Sequence, residues 1–163
     1  DVLGANALGR ALYAPVFDSP EMAPGKVLNS ARFQFLDPEA ASAFWGEKAE
    51  RIAHDCVAIL RAEAGRNPYD KALTDLVGEL STRSEKFRQL WASHDVRLHR
   101  TGTKVFHHPI VGELELDYEA LLLPADPGLQ INVYTAAPNS ASADGLTMLA
   151  SWAATSIPAT ALN

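Results

Sequence analysis

The stretch from Thr82 to Pro124 reads TRSEKFRQLWASHDVRLHRTGTKVFHHPIVGELELDYEALLLP, and its two halves have different hydrophobic periods. The first half has the period of an amphipathic helix, with side chains of one face recurring at i, i+3, i+4 and i+7. These are Phe87, Leu90, Trp91 and His94. Thr82 and Glu85 have the spacing of a capping box, in which each side chain bonds the other's backbone N–H. The sequence therefore predicts a helix from Thr82 to Asp95.

After Asp95 the period changes from helical to two. The alternation predicts a strand over residues 96–100, a turn at Thr101-Gly102, and a second strand over Thr103–His107 that ends before Pro109, which has no backbone donor. The third strand is the most regular. Leucine and tyrosine point to one face and acids to the other, namely Leu114, Leu116 and Tyr118 against Glu113, Glu115 and Asp117. We expect an antiparallel meander with one apolar and one polar face.

Other segments of the chain carry weaker signals. A long helix in the first half has a stripe that includes Ile52, Cys56 and Ile59, and Asn67-Pro68 is expected to open the next helix. A further strand is predicted over Leu129–Ala136, followed by a last helix that Ser142 caps. From Ala153 onward the small and polar residues predict a frayed tail.

Length and charge limit the possible functions. With 163 residues the chain fits one domain that can bury a core. Lys and Arg number 14 against 20 acids, a net charge of −6. Because nucleic-acid affinity is mostly electrostatic, this balance argues against DNA binding by these residues alone.

Cellular location is indicated by the use of cysteine. Cys56 is the single cysteine, so the chain has no intramolecular disulfide, which suits a reducing cytoplasm. The sequence contains no signal peptide and no apolar run long enough to cross a bilayer. The chain starts at Asp1 without methionine, and we expect it to be a fragment of a longer protein.

Several segments together resemble one family. The runs FRQLWASHDV and KVFHHPIVGELELDYEALLLP resemble the ligand-binding domain of MmyB-like transcription regulators. So do the earlier runs NSARFQFLDPEAASAFW, VAILRAEAGRNPYDKALTDLVGELSTRSEKF and the opening DVLGANALGRAL, in the same order. These regulators are bacterial proteins with an N-terminal helix-turn-helix and a C-terminal PAS-like sensor domain. The resemblance covers about residues 1–152.

The resemblance implies a fold and a partner set. We expect an α+β fold, a PAS-like antiparallel sheet with helices packed mainly on one face, over residues 1–152, with 153–163 as a tail. The implied function is that of a cytoplasmic, homodimeric sensor that binds a small apolar or amphipathic ligand such as a fatty acid. DNA would be contacted only through the helix-turn-helix, which these residues do not include, and no membrane is involved.

Catalytic and metal-binding motifs are weak in this chain. His94, His99, His107 and His108 lie close in sequence, but neighbouring strand residues point to opposite faces. The spacing therefore predicts no metal centre, and no cofactor is expected. GxSxG, Walker and dinucleotide-binding patterns are missing from the sequence, so we expect no enzyme.

A ligand pocket is the remaining possibility. Aromatic residues at helix positions are expected to face a sheet rich in Leu and Val, and a cation at the mouth of such a cavity would hold an acid. The candidates for that cation are Arg32, Arg61 and Arg88. The full predicted set of ligand-binding residues is Arg32, Phe35, Trp45, Phe87, Arg88, Trp91 and His94.

Each of these residues also has a simpler interpretation, in which the aromatics form the core and the arginines lie on the surface. Two other functions stay open on the same residues. One is a dimerisation module whose interior is filled by its own side chains, and the other is a small hydrolase or lyase on the same scaffold.

Overall fold

Helices dominate the first part of the chain and strands the second, so the α+β class is confirmed. The computed structural model describes residues 1–22, 27–93, 101–126 and 128–156. The helices are α1 (Ala7–Leu12), α2 (Ala14–Phe17), α3 (Ser30–Leu36), α4 (Pro38–Trp45), α5 (Ala49–Arg66), α6 (Lys71–Arg83), α7 (Glu85–Ala92) and α8 (Ala141–Ser156). A 3₁₀ turn, Gly46–Lys48, joins α4 to α5, and the strands are β1 (Thr101–His108), β2 (Gly112–Leu122) and β3 (Gln130–Thr135).

The chain divides into two compact units that are interleaved in sequence. Unit 1 comprises Asp1–Leu3 and Asp18–His99, and unit 2 comprises Gly4–Phe17 and Arg100–Asn163. Unit 1 therefore contains α3 to α7, while unit 2 contains α1, α2, the sheet and α8.

The core of unit 1 is built from one or two side chains of each of four helices. α5 packs against α3, α6 and α7, so small residues on more than one side of α5 allow close helix contacts. The buried cluster is Ala31, Phe35, Ala53, Val57, Leu76, Leu80 and Phe87. The predicted stripe of α5 is displaced: Ala53 and Val57 are buried, Cys56 packs at the edge of the core, and Ile59 is 55% exposed.

Helix starts in unit 1 differ from the predicted capping positions. The predicted helix from Thr82 is two elements, because α6 continues to Arg83 and Ser84 caps α7 by accepting the N–H of Phe87. The hydroxyl of Thr82 instead donates to the Gly78 carbonyl, within α6. Asp70, and not Asn67, caps α6. Residues 94–100, including the predicted first strand, lie outside the described residues.

The sheet of unit 2 is antiparallel in the order β1-β2-β3. The predicted register of β2 is confirmed: Leu114 and Leu116 are fully buried, whereas Glu113, Glu115 and Asp117 are exposed. Because successive side chains alternate, this pattern fixes which face is covered. The turn predicted at Thr101-Gly102 is wrong, since β1 begins at Thr101 and Gly102 pairs with Tyr118.

Helices α1 and α8 pack together, and α8 packs on β2. Ser140, and not the predicted Ser142, bonds the first turn of α8, by accepting the N–H of Ala143. Ser142 is buried and accepts the backbone N–H of Glu115, so it ties α8 to β2. α8 also continues through Ser156 with Ala153 buried, so the helix reaches into the segment predicted as a tail.

A glycine permits the close approach of α8 to the sheet. A Cβ atom on Gly145 would lie 2.6 Å from Cδ2 of Leu114, a side chain with no exposed surface. We expect Gly145→Ala to lower the free energy of unfolding by about 1 kcal/mol, because overpacking (1–3 kcal/mol) outweighs the helix propensity that alanine adds (up to about 1 kcal/mol). Thermal denaturation measures the change.

Gly78 on α6 supplies the matched control, because a Cβ there meets nothing within 4 Å. Gly78→Ala should raise stability by roughly 0.5–1 kcal/mol through helix propensity alone. Two changes of the same sign would contradict the packing argument.

Candidate functional site

Trp91, on the last turn of α7, is the aromatic residue around which the site is built. Its indole stacks on the ring of Phe87, with centroids 5.5 Å apart and planes inclined by 18°. The guanidinium carbon of Arg61 lies over the same indole, 5.1 Å from the ring centroid. A cation over an indole is attracted by the negative face of the ring. Trp91 is therefore held by one aromatic and one cationic neighbour.

Arg61 reaches Trp91 from α5 and also bonds its backbone. Nη2 donates to the carbonyl oxygen of Trp91, one of the last carbonyls of α7, which have no partner inside the helix. Nη1 of Arg61 is buried and has no hydrogen-bond partner among the described residues. An unpaired buried donor costs about 1–3 kcal/mol, and more when it is charged. This guanidinium consequently has an unused donor in a partly apolar setting.

A cleft of about 170 Å³ lies beside Trp91. Its walls come from the end of α5, from α6 and from α7, and include Ala64, Pro68, Leu73 and Val77. Ala64 follows Arg61 by one helical turn, so both lie on the same side of α5. Drug-sized ligands occupy pockets of about 300–1,000 Å³, whereas an apolar cavity of about 150 Å³ holds benzene. The cleft as it stands fits one ring or a short chain.

Arg32, one of the predicted cations, lies at a different cleft of about 260 Å³. Its Nε and Nη2 both donate to Oε2 of Glu79, at 2.9 and 2.8 Å. Arg83 bonds the other oxygen of Glu79 and also pairs with Glu21. The hydrogen bond from Arg32 lowers the pKa of Glu79, so that carboxylate is ionised at neutral pH. The charges of the two arginines and the two glutamates balance at this cleft, and Arg32 is already paired with Glu79.

The predicted aromatic set divides into core and site. Phe35 and Phe87 pack edge to face at 5.0 Å in the core of unit 1, and Phe87 has no surface left accessible to water. Trp45 is also buried, with its ring 4.5 Å from that of Phe44. Trp91 lines the cleft of about 170 Å³ described above. The structure therefore brings Phe87 and Trp91 together.

The two remaining residues of the predicted ligand-binding set are Arg88 and His94. Arg88 has 59% of its side chain exposed and pairs with Glu85 on the same helix. An exposed pair of this kind contributes at most a few tenths of a kcal/mol. His94 lies outside the described residues.

The histidines and the cysteine were the remaining candidates for a metal-binding or reactive group. There, no group of three or more His, Cys, Asp or Glu side chains is placed to hold a metal ion. His107 is exposed, whereas His108 is buried and bonds the Ala11 carbonyl through Nε2 (2.9 Å) and the Ile110 N–H through Nδ1 (3.2 Å). Since a carbonyl only accepts, the proton is on Nε2. Burial raises the pKa of the Cys56 thiol to about 12, which keeps it unreactive.

A tyrosine cluster in unit 2 has no counterpart in the sequence analysis. The hydroxyls of Tyr13 and Tyr134 are 2.6 Å apart, and Nζ of Lys104 lies 4.4 Å from the ring centroid of Tyr118. Burial raises the pKa of both Tyr13 and Tyr134, so neither ionises near neutral pH. Tyr13 and Tyr134 are 121 residues apart, and no local pattern connects them.

Comparisons with known proteins agree with the family suggested by the sequence. The family model described as "MmyB-like transcription regulator ligand binding domain" matches residues 1–149. A search of curated proteins found no significant match. Among the described residues, no helix is long and apolar enough to span a membrane.

Proposed function

Since the chain belongs to the MmyB-like transcription regulator ligand binding domain family, we propose that it senses a small amphipathic acid on behalf of a helix-turn-helix regulator. Membership of this family makes the chain a regulatory ligand-binding domain. In such a regulator, ligand binding by this domain controls a separate DNA-binding domain. The acidic net charge of −6 supports a division of labour in which a separate module contacts DNA. We further propose a cytoplasmic homodimer without catalytic activity.

The observation that carries the proposal is the guanidinium of Arg61 over Trp91, with a buried donor that no described residue uses. A ligand carboxylate would pair with this guanidinium, and its apolar part would enter the cleft against Trp91. Because Nη1 is enclosed, the pairing requires the Arg61 side chain to rotate toward the cleft at Ala64. Trp91 stays in this proposal as a ligand contact, and Arg61 replaces Arg32 and Arg88 as the cation.

Ligand binding at this place has a direct consequence for α7. Rotation of Arg61 weakens its bond to the Trp91 carbonyl, and α7 is the last helix of unit 1 before residues 94–100 and β1. A ligand shifts the arrangement of two DNA-binding heads only if it binds the two arrangements with different affinity. We propose that this difference in affinity arises at the end of α7.

Fluorescence titration tests the proposal. In a Trp152→Phe background, straight-chain fatty acids and the matching alcohols are added and the emission of the two remaining tryptophans, Trp45 and Trp91, is followed, of which Trp91 lines the cleft. Each buried CH₂ of the ligand contributes about 0.8 kcal/mol, so affinity should rise with chain length. It should level off at about six carbons, because the volume of the cleft is close to that of a cavity that holds benzene. Arg61→Gln should weaken the acids about tenfold or more relative to the alcohols, since only acids lose an ion pair.

Arg88→Gln is the matched control, because Arg88 is on the same helix as Trp91 but exposed and paired with Glu85. It should leave the acid-to-alcohol ratio unchanged. Solvent extraction of the purified protein followed by mass spectrometry reports any ligand that co-purifies. If no acid or alcohol binds and nothing co-purifies, the proposal fails and the dimerisation module is the better interpretation.

A further inference from the structure

One side of the sheet in unit 2 combines carboxylates with exposed aliphatic side chains. Directly paired residues of an antiparallel sheet project to the same side, and Leu121 pairs with Ile131 while Glu119 pairs with Val133. All four lie on the side opposite the buried Leu116. We call this side the acidic–apolar face. Its acids are Glu113, Glu115, Asp117 and Glu119, and its apolar members are Leu121, Ile131 and Val133.

The apolar members adjoin one another at one end of the face. Their exposed fractions are 44% for Leu121, 51% for Ile131 and 39% for Val133. Single exposed aliphatic residues are common on protein surfaces, whereas contiguous apolar groups rimmed by polar residues are candidates for interaction sites. Here the group is rimmed on the β2 side by Glu119.

Within the described residues, no lysine or arginine pairs with the carboxylates at the acidic end of the face. Asp117 accepts a hydrogen bond from the hydroxyl of Thr103, and Glu113 has only His107, at 3.9 Å. Lys104 projects to the other side of the sheet, over the ring of Tyr118. The carboxylates follow β2 at alternate positions, which places them about 6.6–6.8 Å apart. This regular negative row continues directly into the apolar group.

We propose that the acidic–apolar face docks a basic, amphipathic protein segment, with cations along the carboxylate row and apolar side chains on Leu121, Ile131 and Val133. The negative charge of the carboxylate row favours a basic segment as the occupant. A second copy of the chain would bring the same carboxylates to the interface. Three aliphatic side chains at about half exposure also supply far less than the roughly 800 Å² per partner of a standard interface. The surface therefore suits a single extended segment, whose alternate side chains have the same spacing as the carboxylates.

The test uses the full chain and a defined probe, a synthetic peptide of alternating Lys and Val. Titration of ¹⁵N-labelled protein should shift amide signals of β2 and β3, and the affinity should fall as salt is raised. A peptide of alternating Glu and Val should not bind, and one of alternating Lys and Ser should bind about tenfold more weakly or worse. Equal binding of the Lys–Ser peptide would overturn the proposal, because attraction would then be electrostatic alone.

A pair of variants locates the site. Ile131→Asn removes an apolar contact on the face and should weaken the Lys–Val peptide about tenfold. Leu122→Asn is the control, because Leu122 is 55% exposed and lies one residue from Leu121, on the opposite side of β2. Equal effects of the two variants would overturn the proposal. So would sedimentation that shows a dimer which Ile131→Asn dissociates, since a second copy would then occupy the face.

Discussion

Phe87→Ala should lower the free energy of unfolding of unit 1 by about 3–5 kcal/mol, the range for removing a buried phenylalanine ring. Phe87 has no exposed surface and contacts Phe35 edge to face and Trp91 by stacking. The cavity left behind cannot collapse easily, because the side chains around it come from several helices. Trp91 would also lose the ring on which it stacks.

Urea denaturation in a Trp152→Phe background measures this effect, since the two remaining tryptophans, Trp45 and Trp91, both belong to unit 1. Gln89→Ala on the same helix is the control and should change stability by less than about 0.5 kcal/mol, because Gln89 is exposed. If Phe87→Ala prevents folding, Phe87→Leu gives a smaller, measurable loss. A loss for Phe87→Ala no larger than that for Gln89→Ala would refute the core position of the ring.

Leu116→Ala should cost about 2–5 kcal/mol, whereas Asp117→Ala, one residue further along β2, should cost less than about 1 kcal/mol. Leu116 has no exposed surface, while Asp117 is exposed and makes one hydrogen bond, to Thr103. The contrast follows from the alternation of side chains in a strand. The loss of amide signals of β1, β2 and β3 with increasing urea measures it. Similar costs at the two positions would mean that the register is slipped by one residue.

The strands were more predictable from the sequence than the helix ends. In β2, strict alternation of leucines and acids reports burial directly, because one face is covered and the other is wet. Near the start of α7 the sequence has two hydroxyl residues, Thr82 and Ser84, two positions apart and with similar capping ability. Ser84 caps α7, so the choice depended on where α6 ends, which tertiary packing decides.

In α5 the helical period alone gave a stripe that is displaced from the buried one, since Cys56 packs only at the edge of the core. Ile59 has the right spacing for the stripe but is 55% exposed, while the smaller Ala53 is fully buried. A helix with neighbours on several sides buries small residues where another helix comes close, and a hydrophobicity pattern gives such residues little weight. The sequence shows that α5 is a helix but not which neighbours surround it.

The candidate site was predictable only as a set of residue types. Trp91 and Arg61 were both recognisable as an aromatic and a cation, but they are 30 residues apart and nothing local connects them. Arg32 and Arg88 looked equivalent to Arg61 in sequence. Arg32 pairs with Glu79 and Arg88 pairs with Glu85, whereas no described residue accepts from Nη1 of Arg61.

The interleaving of the two units in sequence affects the order in which they can fold during synthesis. α1 packs against α8, yet roughly 130 residues separate them in sequence, and His108 must be made before it can bond Ala11. At about 5–20 residues per second, α1 waits on the order of ten seconds or longer for its partner helix. Throughout that delay Ala11 and Leu12, which are buried in the finished fold, remain open to chaperones. During synthesis from N- to C-terminus the residues of unit 1 are complete first. Unit 2 cannot bury α1 until α8 has also been made.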